Sequence, residues 1–275
     1  MSKMATKKTG KTAPGQSNTV QRRRILSDKS SFYVQEAYKT LRTNIRFSLS
    51  TGNNKKFCIT SSLASEGKSI TILNLAISFA QSGQKVLLID ADLRRPNLAK
   101  LLIEKSSPGL SNVLAGLSTA EESIRKEVYP NLDIIFSGEI PPNPSELLGS
   151  PRMKQLIKML ESRYDYILVD TPPVDIVSDA CILGNILDGV LYLVRMNQTE
   201  KDAVAMGVHQ LELSGAKLMG FVLNGTEPES IGHYGRKKYR YGYRYRYGYR
   251  YGYRYGYGYK YKYSYESHTN KKDKK

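Results

Sequence analysis

Short, mostly apolar runs alternate with helical segments along the chain, and this alternation constrains the fold most. The runs typical of buried strands are Phe57–Thr60, Val86–Ile89, Leu132–Phe136, Tyr166–Val169, Val190–Val194 and Leu218–Leu223. The spacing of apolar residues predicts helices at Ser69–Gln81, Ser145–Glu161 and Thr199–Leu213. Apolar strands between helices indicate a parallel sheet with right-handed crossovers. The sequence therefore predicts an α/β fold, a mostly parallel sheet with helices on both faces.

Charge divides the chain into three parts. The net charge of +17 is concentrated at the ends, because residues 1–30 carry +7 and residues 234–275 carry +12. Residues 31–233 carry −2. We therefore expect a disordered basic arm over 1–30, one folded domain over 31–233 and a disordered basic tail over 234–275. A near-neutral domain weakens the nucleic-acid-binding interpretation that the high isoelectric point invites.

Other compositional features exclude several classes. Cys58 and Cys181 lie in apolar surroundings, so we expect buried thiols in a reducing compartment and no disulfide framework. The chain has no run of about 20 apolar residues that would span a membrane. Its basic N-terminus has no apolar core like that of a secretory signal. His209, His233 and His268 form no spaced cluster with the cysteines, so no zinc site is predicted.

One segment has the form of a phosphate-binding loop. Residues 57–69 follow a predicted strand, open a predicted helix and end in Gly67-Lys68-Ser69. In such a loop, backbone N–H groups cradle phosphates, the lysine reaches the β and γ oxygens, and the serine binds Mg²⁺. The first glycine of the G-x-x-x-x-G-K-S pattern is replaced by Ser62. The tripeptide alone is a weak signal, and its placement between strand and helix strengthens it.

Acidic residues end two further strands. Val86–Ile89 leads into Asp90 and Asp92, and Tyr166–Val169 leads into Asp170. Because ligands bind beyond the carboxyl ends of parallel strands, these carboxylates should face the phosphate-binding loop. Each one alone reads more simply as a turn or helix-cap residue. Together they supply the metal ligands and the acceptor base that phosphoryl transfer requires.

These segments resemble the Walker A, A′ and B motifs of the bacterial tyrosine kinases, P-loop enzymes similar to the ParA/MinD group of ATPases. Further segments resemble the family: residues 138–148, where Ser145 would cap a helix, residues 170–174 followed by Asp179-Ala180, and residues 222–224. The resemblance covers about residues 31–225 plus the tail. It implies an ATP-dependent protein-tyrosine autokinase that regulates capsular or exopolysaccharide synthesis and export.

The resemblance also implies residue roles, with ATP and Mg²⁺ as cofactors. The implied catalytic residues are Lys68, Asp90 and Asp92, with Asp90 accepting the tyrosine proton. The implied nucleotide-binding residues are Ser62, Ser65, Glu66, Gly67, Lys68, Ser69, Ile70 and Asn224. The implied metal ligands are Ser69, Asp92 and Asp170, the last through water. Arg94 and Arg95 either stabilise phosphate charge or are solvated residues at a helix start.

Two departures from the family pattern concern the loop and the N-terminal helix. Ser65 stands where the family has a glycine, and a positive φ at serine would strain the loop. Apolar spacing predicts an amphipathic helix over 31–49, in which Glu36, Lys39 and Arg42 resemble the family's E-x-x-R-x-x-R motif for ring assembly. Lys39 in place of arginine loses the bidentate fork.

The resemblance implies several partners. These are further copies of the chain in a ring, a membrane adaptor that completes the site, a cognate tyrosine phosphatase, and polysaccharide-synthesis enzymes as possible substrates. With no membrane span, the chain resembles the family's separate type, which is cytoplasmic and held at the inner face of the membrane by its adaptor. Basic arms would add attraction to anionic lipid.

The tail is an alternating tyrosine tract. Every second residue from 239 to 265 is Tyr, separated mainly by Arg, Gly and Lys. By resemblance, a neighbouring subunit phosphorylates this cluster: Tyr239, Tyr241, Tyr243, Tyr245, Tyr247, Tyr249, Tyr251, Tyr253, Tyr255, Tyr257, Tyr259, Tyr261, Tyr263 and Tyr265. Low-complexity drift, a phase-separating tract and single-stranded nucleic-acid binding are alternatives for the tail. The domain ahead of it makes nucleic acid the weaker one.

Two other functions compete with the kinase. A ParA/MinD-like positioning ATPase would normally carry a signature lysine early in the loop, where this chain has Ser61, Ser62 and Leu63. The N-terminal helix and the tyrosine tail also favour the kinase. A non-enzymatic nucleic-acid-binding protein with an inactive loop is the third hypothesis.

Overall fold

The computed structural model describes residues 24–49 and 55–226. The helices are α1 Phe32–Ser48, α2 Lys68–Ala80, α3 Leu98–Leu102, α4 Leu110–Ala115, α5 Ala120–Ser123, α6 Pro144–Gly149, α7 Pro151–Glu161, α8 Asp179–Gly184 and α9 Lys201–Ser214. The strands are β1 Lys55–Ser61, β2 Val86–Asp90, β3 Ile124–Tyr129, β4 Leu132–Ile135, β5 Tyr166–Asp170, β6 Gly189–Arg195 and β7 Leu218–Asn224. The predicted basic tail and its tyrosine cluster lie outside the described residues.

The strands form one sheet in the order β3-β4-β2-β5-β1-β6-β7. Every neighbouring pair is parallel except β3 and β4. Side chains that alternate along β2 enter two cores: Leu88 belongs to the core that includes α2, and Leu87 belongs to the core that includes residues of α7, α8 and α9. The predicted α/β architecture, a mostly parallel sheet with helices on both faces, is confirmed.

Two predicted elements require correction. The helix predicted over Ser145–Glu161 is broken into α6 and α7, because Pro151 has no N–H to donate and holds Ser150 extended at ψ 157°. Ser145 is not the helix cap, since Asn143 precedes Pro144 at that end. The strand β3 was not predicted, because its sequence Ile-Arg-Lys-Glu-Val-Tyr is polar and lies at the sheet edge.

The predicted basic arm extends too far. Residues 24–30 belong to the folded domain, with Ile25 and Leu26 buried in the core beside α2. The Asn74 amide of α2 holds this segment, accepting a bond from the Leu26 N–H at 2.8 Å and donating to the Arg24 carbonyl at 2.9 Å. The basic composition of this segment predicted disorder, although two of its apolar residues anchor it to the core.

The predicted amphipathic helix α1 packs on the core through Tyr38, Leu41 and Ile45. Ile45 and the following Leu49 are buried. Phe32 and Tyr33, at the start of the helix, are both 71% exposed. The helix therefore presents an apolar surface at its N-terminal end.

The predicted burial of both cysteines is confirmed, and both thiols are free. Burial raises the pKa of the Cys58 thiol to about 12, which suits an unreactive core residue. Among the described helices, none is long and apolar enough to cross a membrane.

Candidate active site

The loop between β1 and α2 makes its turn through two residues with positive φ. Gly67 has φ 104° and Ser65 has φ 65°. A Cβ at Gly67 would clash with the Asn224 side chain, so glycine is required there for packing as well as for conformation. Ser65 adopts the left-handed conformation that the sequence analysis identified as a source of strain. This conformation costs about 1–2 kcal/mol relative to an unstrained residue.

A cleft of about 590 Å³ opens in front of this loop. The predicted site residues that line it are Ser65, Gly67, Lys68, Ser69, Ile70 and Asp92. The opposite walls come from Arg94, Arg95 and Asn97 after β2, and from Pro172, Pro173, Ile176 and Val177 after β5. The volume is in the range of small-molecule and cofactor sites. The cleft therefore lies beyond the carboxyl ends of neighbouring parallel strands, as the topology requires.

Lys68 is the buried cation of the cleft. The residue is only 7% exposed, and its Nζ donates to the Ser61 hydroxyl at 3.0 Å. Burial lowers the pKa of Lys68, while the negative charges of Asp170, Asp92 and Glu66 oppose that shift. An ammonium held in this way has little solvent to compete with and is ready for phosphate oxygens.

Two strand-end carboxylates lie side by side and are fully buried. Asp90 ends β2 and Asp170 ends β5, and they are partners in the register of the two strands. Burial raises the pKa of Asp90 well above its usual range, and the charges of Asp170 and Asp92 raise it further. Burial likewise raises the pKa of Asp170 to about 7, against the opposing effects of Ser69 and Lys68. The buried pair therefore favours holding a proton over carrying two negative charges.

The same carboxylates have oxygens without hydrogen-bond partners. Both oxygens of Asp170 and one oxygen of Asp90 are buried and make no hydrogen bond of good geometry, although the Ser69 hydroxyl is near enough to Asp170 to lower its pKa. Unpaired buried carboxylate oxygens are costly, and a hard cation with oxygen ligands satisfies them. No three acidic, histidine or cysteine residues of the described ranges are grouped as a complete metal cage. The residues thus fit Mg²⁺ shared with phosphate oxygens, which is how Mg²⁺ usually binds.

Asp92 is held differently from the two buried acids. It is half-buried, and its Oδ1 accepts the backbone N–H of Arg95 at 2.9 Å and of Arg94 at 3.3 Å. This turn keeps one carboxylate oxygen occupied by the loop. Asp92 therefore faces the cleft on a fixed backbone, whereas Asp90 lies beneath it.

The remaining predicted nucleotide-binding residues support the loop from behind and do not line the cleft. The Ser62 hydroxyl is buried and lies 2.8 Å from the Tyr192 hydroxyl. Glu66 accepts from the Leu63 N–H at 3.1 Å and from the Thr199 hydroxyl. Asn224, at the end of β7, donates to the Glu66 carbonyl at 2.7 Å. These contacts fix the loop's conformation through other parts of the domain.

Several functional residues escaped sequence reasoning. Arg24 lines the cleft from the segment assigned to the basic arm. Tyr192 and Thr199 hold the loop from β6 and from the turn before α9. For Arg94, the sequence allowed either a phosphate-stabilising role or a solvated position. Its side chain donates to the buried carboxylate of Asp179 at 3.0 Å, so it is not merely solvated. The available sequence signal was the presence of hydroxyl and charged residues in or next to apolar strands, which could have marked them as candidates for the site.

On α1, the three residues of the predicted assembly motif have different surroundings. Lys39 and Glu36 form an exposed ion pair at 2.8 Å. Arg42 is half-buried and donates to the carbonyl and hydroxyl oxygens of Ser78 on α2. Glu36 and Lys39 are thus available to another molecule, while Arg42 joins α1 to the P-loop helix.

A phosphate-binding loop that ends in Gly67-Lys68-Ser69, a buried lysine and strand-end carboxylates are the features of a P-loop NTPase. A family model described as an AAA domain matches residues 55–211. The solved structure of the septum site-determining protein MinD with Mg-ADP, from Pyrococcus horikoshii, is 25% identical, with a TM-score of 0.53 over 66% of this chain and 76% of that one.

More similar proteins are kinases. Tyrosine-protein kinase YwqD of Bacillus subtilis is 40% identical over 221 residues, which cover 79% of this chain and 93% of that protein. The kinase domain of Escherichia coli tyrosine kinase ETK is 36% identical, with a TM-score of 0.68 over 78% of this chain and 80% of that one. The chain belongs to the bacterial tyrosine-protein kinases, which confirms the family and enzyme class that the motifs suggested.

Proposed function

We propose that this kinase uses ATP and Mg²⁺ to phosphorylate, in trans, the tyrosine cluster Tyr239–Tyr265 of a neighbouring copy. The observation that carries the proposal is the set of unpaired carboxylate oxygens on Asp90 and Asp170 beneath a cleft that also holds Lys68 and Ser69. Through this reaction the chain would regulate synthesis and export of a capsular or extracellular polysaccharide, as its family resemblance implies.

Within the site, each residue has a proposed task. Lys68 neutralises β and γ phosphate oxygens, and the backbone N–H groups at the start of α2 orient them. Ser69 and Asp170 would hold Mg²⁺, together with Asp92. A bound Mg²⁺ would supply positive charge that offsets the negative charge developing during transfer.

The acceptor base is one of two acids. The family resemblance gives the tyrosine proton to Asp90, and burial raises the pKa of Asp90, which makes its carboxylate the stronger base. Asp92 lines the cleft and is proposed above as a metal ligand, whereas Asp90 is fully buried beneath the cleft. We propose that Asp90 accepts the tyrosine proton and that Asp92 stays with the metal.

Assembly would place a tail at a neighbouring cleft. The exposed Phe32 and Tyr33 and the exposed pair Glu36–Lys39 form one surface of α1. Contacts between aromatic and charged residues of this kind suit a subunit interface. We propose that α1 builds a ring with other copies. We further propose that a membrane adaptor holds the ring at the inner membrane face and that a cognate phosphatase resets it.

Tail charge supplies a switch for the ring. Residues 234–275 carry +12, and each phosphotyrosine adds about −1.5 to −2 charges, so about six to eight modifications would neutralise the tail. Unmodified tails would bind acidic surfaces of neighbouring copies, and phosphorylated tails would be repelled. A chain with every tail tyrosine changed to Phe should stay assembled when ATP is added. Its disassembly on ATP addition would contradict the switch.

The kinase proposal is tested with purified full chain, the cytoplasmic segment of its adaptor, ATP and Mg²⁺, read with a phosphotyrosine antibody. Lys68→Met should abolish the signal, because it removes the buried phosphate cation. Lys85→Met, which removes an exposed cation elsewhere, is the matched control and should retain it. No signal from the unmodified chain, or equal signals from it and Lys68→Met, would exclude the proposal.

A further inference from the structure

Another buried carboxylate, besides Asp90 and Asp170, lies behind the wall of the cleft. Asp179, the first residue of α8, is 0% exposed. Its Oδ2 accepts the Arg94 Nε at 3.0 Å, and its Oδ1 accepts the Arg94 Nη2 at 3.3 Å and the Ser145 hydroxyl at 2.7 Å. Arg94 Nη2 also donates to the Ser145 oxygen at 2.7 Å. Three residues thus form a closed set of hydrogen bonds around one buried charge.

The three residues come from three separate loops. Arg94 follows β2, Ser145 lies in the first turn of α6, and Asp179 follows the loop that leaves β5. The loop after β2 carries Asp92, and β5 ends in Asp170. The hydrogen bonds among Arg94, Ser145 and Asp179 therefore connect the segments that follow the two acid-bearing strands, on the solvent side of the cleft.

The connection reaches Asp92 through the backbone. Arg94 donates its N–H to the Asp92 carboxylate, while its side chain is held by Asp179 at the other end of the residue. The guanidinium is 36% exposed, so it remains on the cleft wall with its charge partly compensated. A buried carboxylate needs such a partner, because burying it unpaired is costly.

We propose that Asp179 is a positioning residue that, through Arg94, holds the Asp92 carboxylate in the orientation that receives nucleotide-bound Mg²⁺. This rests on the proposed function only in taking Asp92 as a metal ligand. Residues that orient metal ligands from the outer shell typically change metal affinity about 10- to 100-fold when replaced. Asp179 stands in that relation to Asp92 without touching the cleft itself.

The test measures nucleotide binding directly and needs no kinase activity. A fluorescent ADP analogue is titrated against the full chain with Mg²⁺ and again with EDTA, and the ratio of the two dissociation constants is the gain due to the metal. Asp179→Asn should lower this gain on the order of tenfold and leave the affinity in EDTA near that of the unmodified chain. Asp202→Asn, on the exposed start of α9, is the matched control and should change neither.

A double variant shows whether Asp179 acts through Arg94. Combining Asp179→Asn with Arg94→Gln should lower the gain no further than Arg94→Gln alone, because both changes remove one connection. Additive losses would overturn the proposal. So would a gain that is unchanged in Asp179→Asn, whatever happens to its melting temperature, or an unmodified chain whose affinity does not depend on Mg²⁺.

A milder variant covers the case in which Asp179→Asn does not fold. Ser145→Ala removes the two hydrogen bonds of that hydroxyl, one to Asp179 and one from Arg94, and keeps the ion pair. The gain should therefore fall by about two- to threefold. An unchanged gain in this variant would contradict the proposal. If the metal gain behaves as expected but no phosphotyrosine forms with adaptor and ATP, the proposed kinase reaction fails and the positioning role stands.

Discussion

The two sides of the P-loop differ in how their polar groups are satisfied. On the back, Ser62, Glu66 and Asn224 have partners in β6, the turn before α9 and the loop itself. On the front, Asp170 and Asp90 keep unpaired buried oxygens. The polar groups of the back find their partners within the protein, whereas the front keeps buried oxygens that the protein leaves without partners.

This difference shows how the site is prepared. A rigid back holds the loop N–H groups and Lys68 in place before nucleotide arrives, so little reorganisation is needed on binding. The front of the site contains energetically unfavourable groups, namely Ser65 at positive φ and two neighbouring buried carboxylates. Changes on the front should alter chemistry most, and changes on the back should alter nucleotide affinity.

The largest effect is expected for Asp170→Asn on the front. The amide preserves shape but removes a proposed metal ligand, so the rate of phosphotyrosine formation should fall on the order of 100-fold or more. Stability near neutral pH should rise, because a buried excess charge is lost. Phosphotyrosine blots and urea unfolding check the two effects. Activity close to that of the unmodified chain would show that Asp170 has no such role.

The same residue should make stability depend on pH. The folded-state pKa of Asp170 is about 7, above its usual 3.8, so between these values the folded state holds more protons than the unfolded state. The free energy of unfolding should therefore fall as pH rises through this window, by roughly 1–3 kcal/mol without Mg²⁺. Urea unfolding at pH 5 and 7.5 measures the loss.

Asp90 shifts in the same direction, so Asp170→Asn should remove only part of this dependence. Adding Mg²⁺ and nucleotide should reduce the loss further, since ligand binding to the folded state compensates the charge. A free energy of unfolding that rises between pH 5 and 7.5 in the unmodified chain would contradict the buried-carboxylate account.

The front of the site was more accessible to sequence reasoning than the back. Lys68, Ser69 and the strand-end acids follow local patterns, namely an apolar strand and then a ligand group within a few residues. The back depends on pairs such as Ser62 with Tyr192 and Asn224 with Glu66, which are 130 and 158 residues apart. No local pattern encodes such pairs, because they exist only once the sheet order is set.

The sequence-based predictions of element boundaries and of one residue role were wrong or incomplete for different physical reasons. The break before Pro151 was legible in the sequence, because proline restricts the residue before it. The anchor at Ile25 and Leu26 was concealed by eight basic residues in the first thirty. Arg94 could not be assigned, since its partner Asp179 lies 85 residues away.

An intermediate effect is expected for Asn224→Ala on the back. This change removes the bond to the Glu66 carbonyl and the packing against Gly67, so the loop N–H groups lose part of their fixed geometry. Nucleotide affinity should fall about fivefold to tenfold, as for loss of one hydrogen bond, with the turnover of saturated enzyme less affected. Titration with the fluorescent ADP analogue measures it.

Asn185→Ala is the control for Asn224→Ala. It also removes an asparagine that bonds backbone carbonyls, here at the end of α8, but it lies away from the loop. It should lower stability without lowering nucleotide affinity. Equal losses of affinity in both variants would mean that the back of the loop has no specific role.

The smallest effect is expected for Ser65→Gly. Glycine removes the left-handed strain at φ 65° but adds conformational entropy to the unfolded chain, so stability should rise by about 0–1 kcal/mol. Nucleotide affinity should rise by no more than a few fold. Ser162→Gly, at φ −74°, has no strain to relieve and should be neutral or destabilising. If both glycine variants lose stability equally, the front of the loop holds no strain at Ser65, and the contrast between its two sides rests on the carboxylates alone.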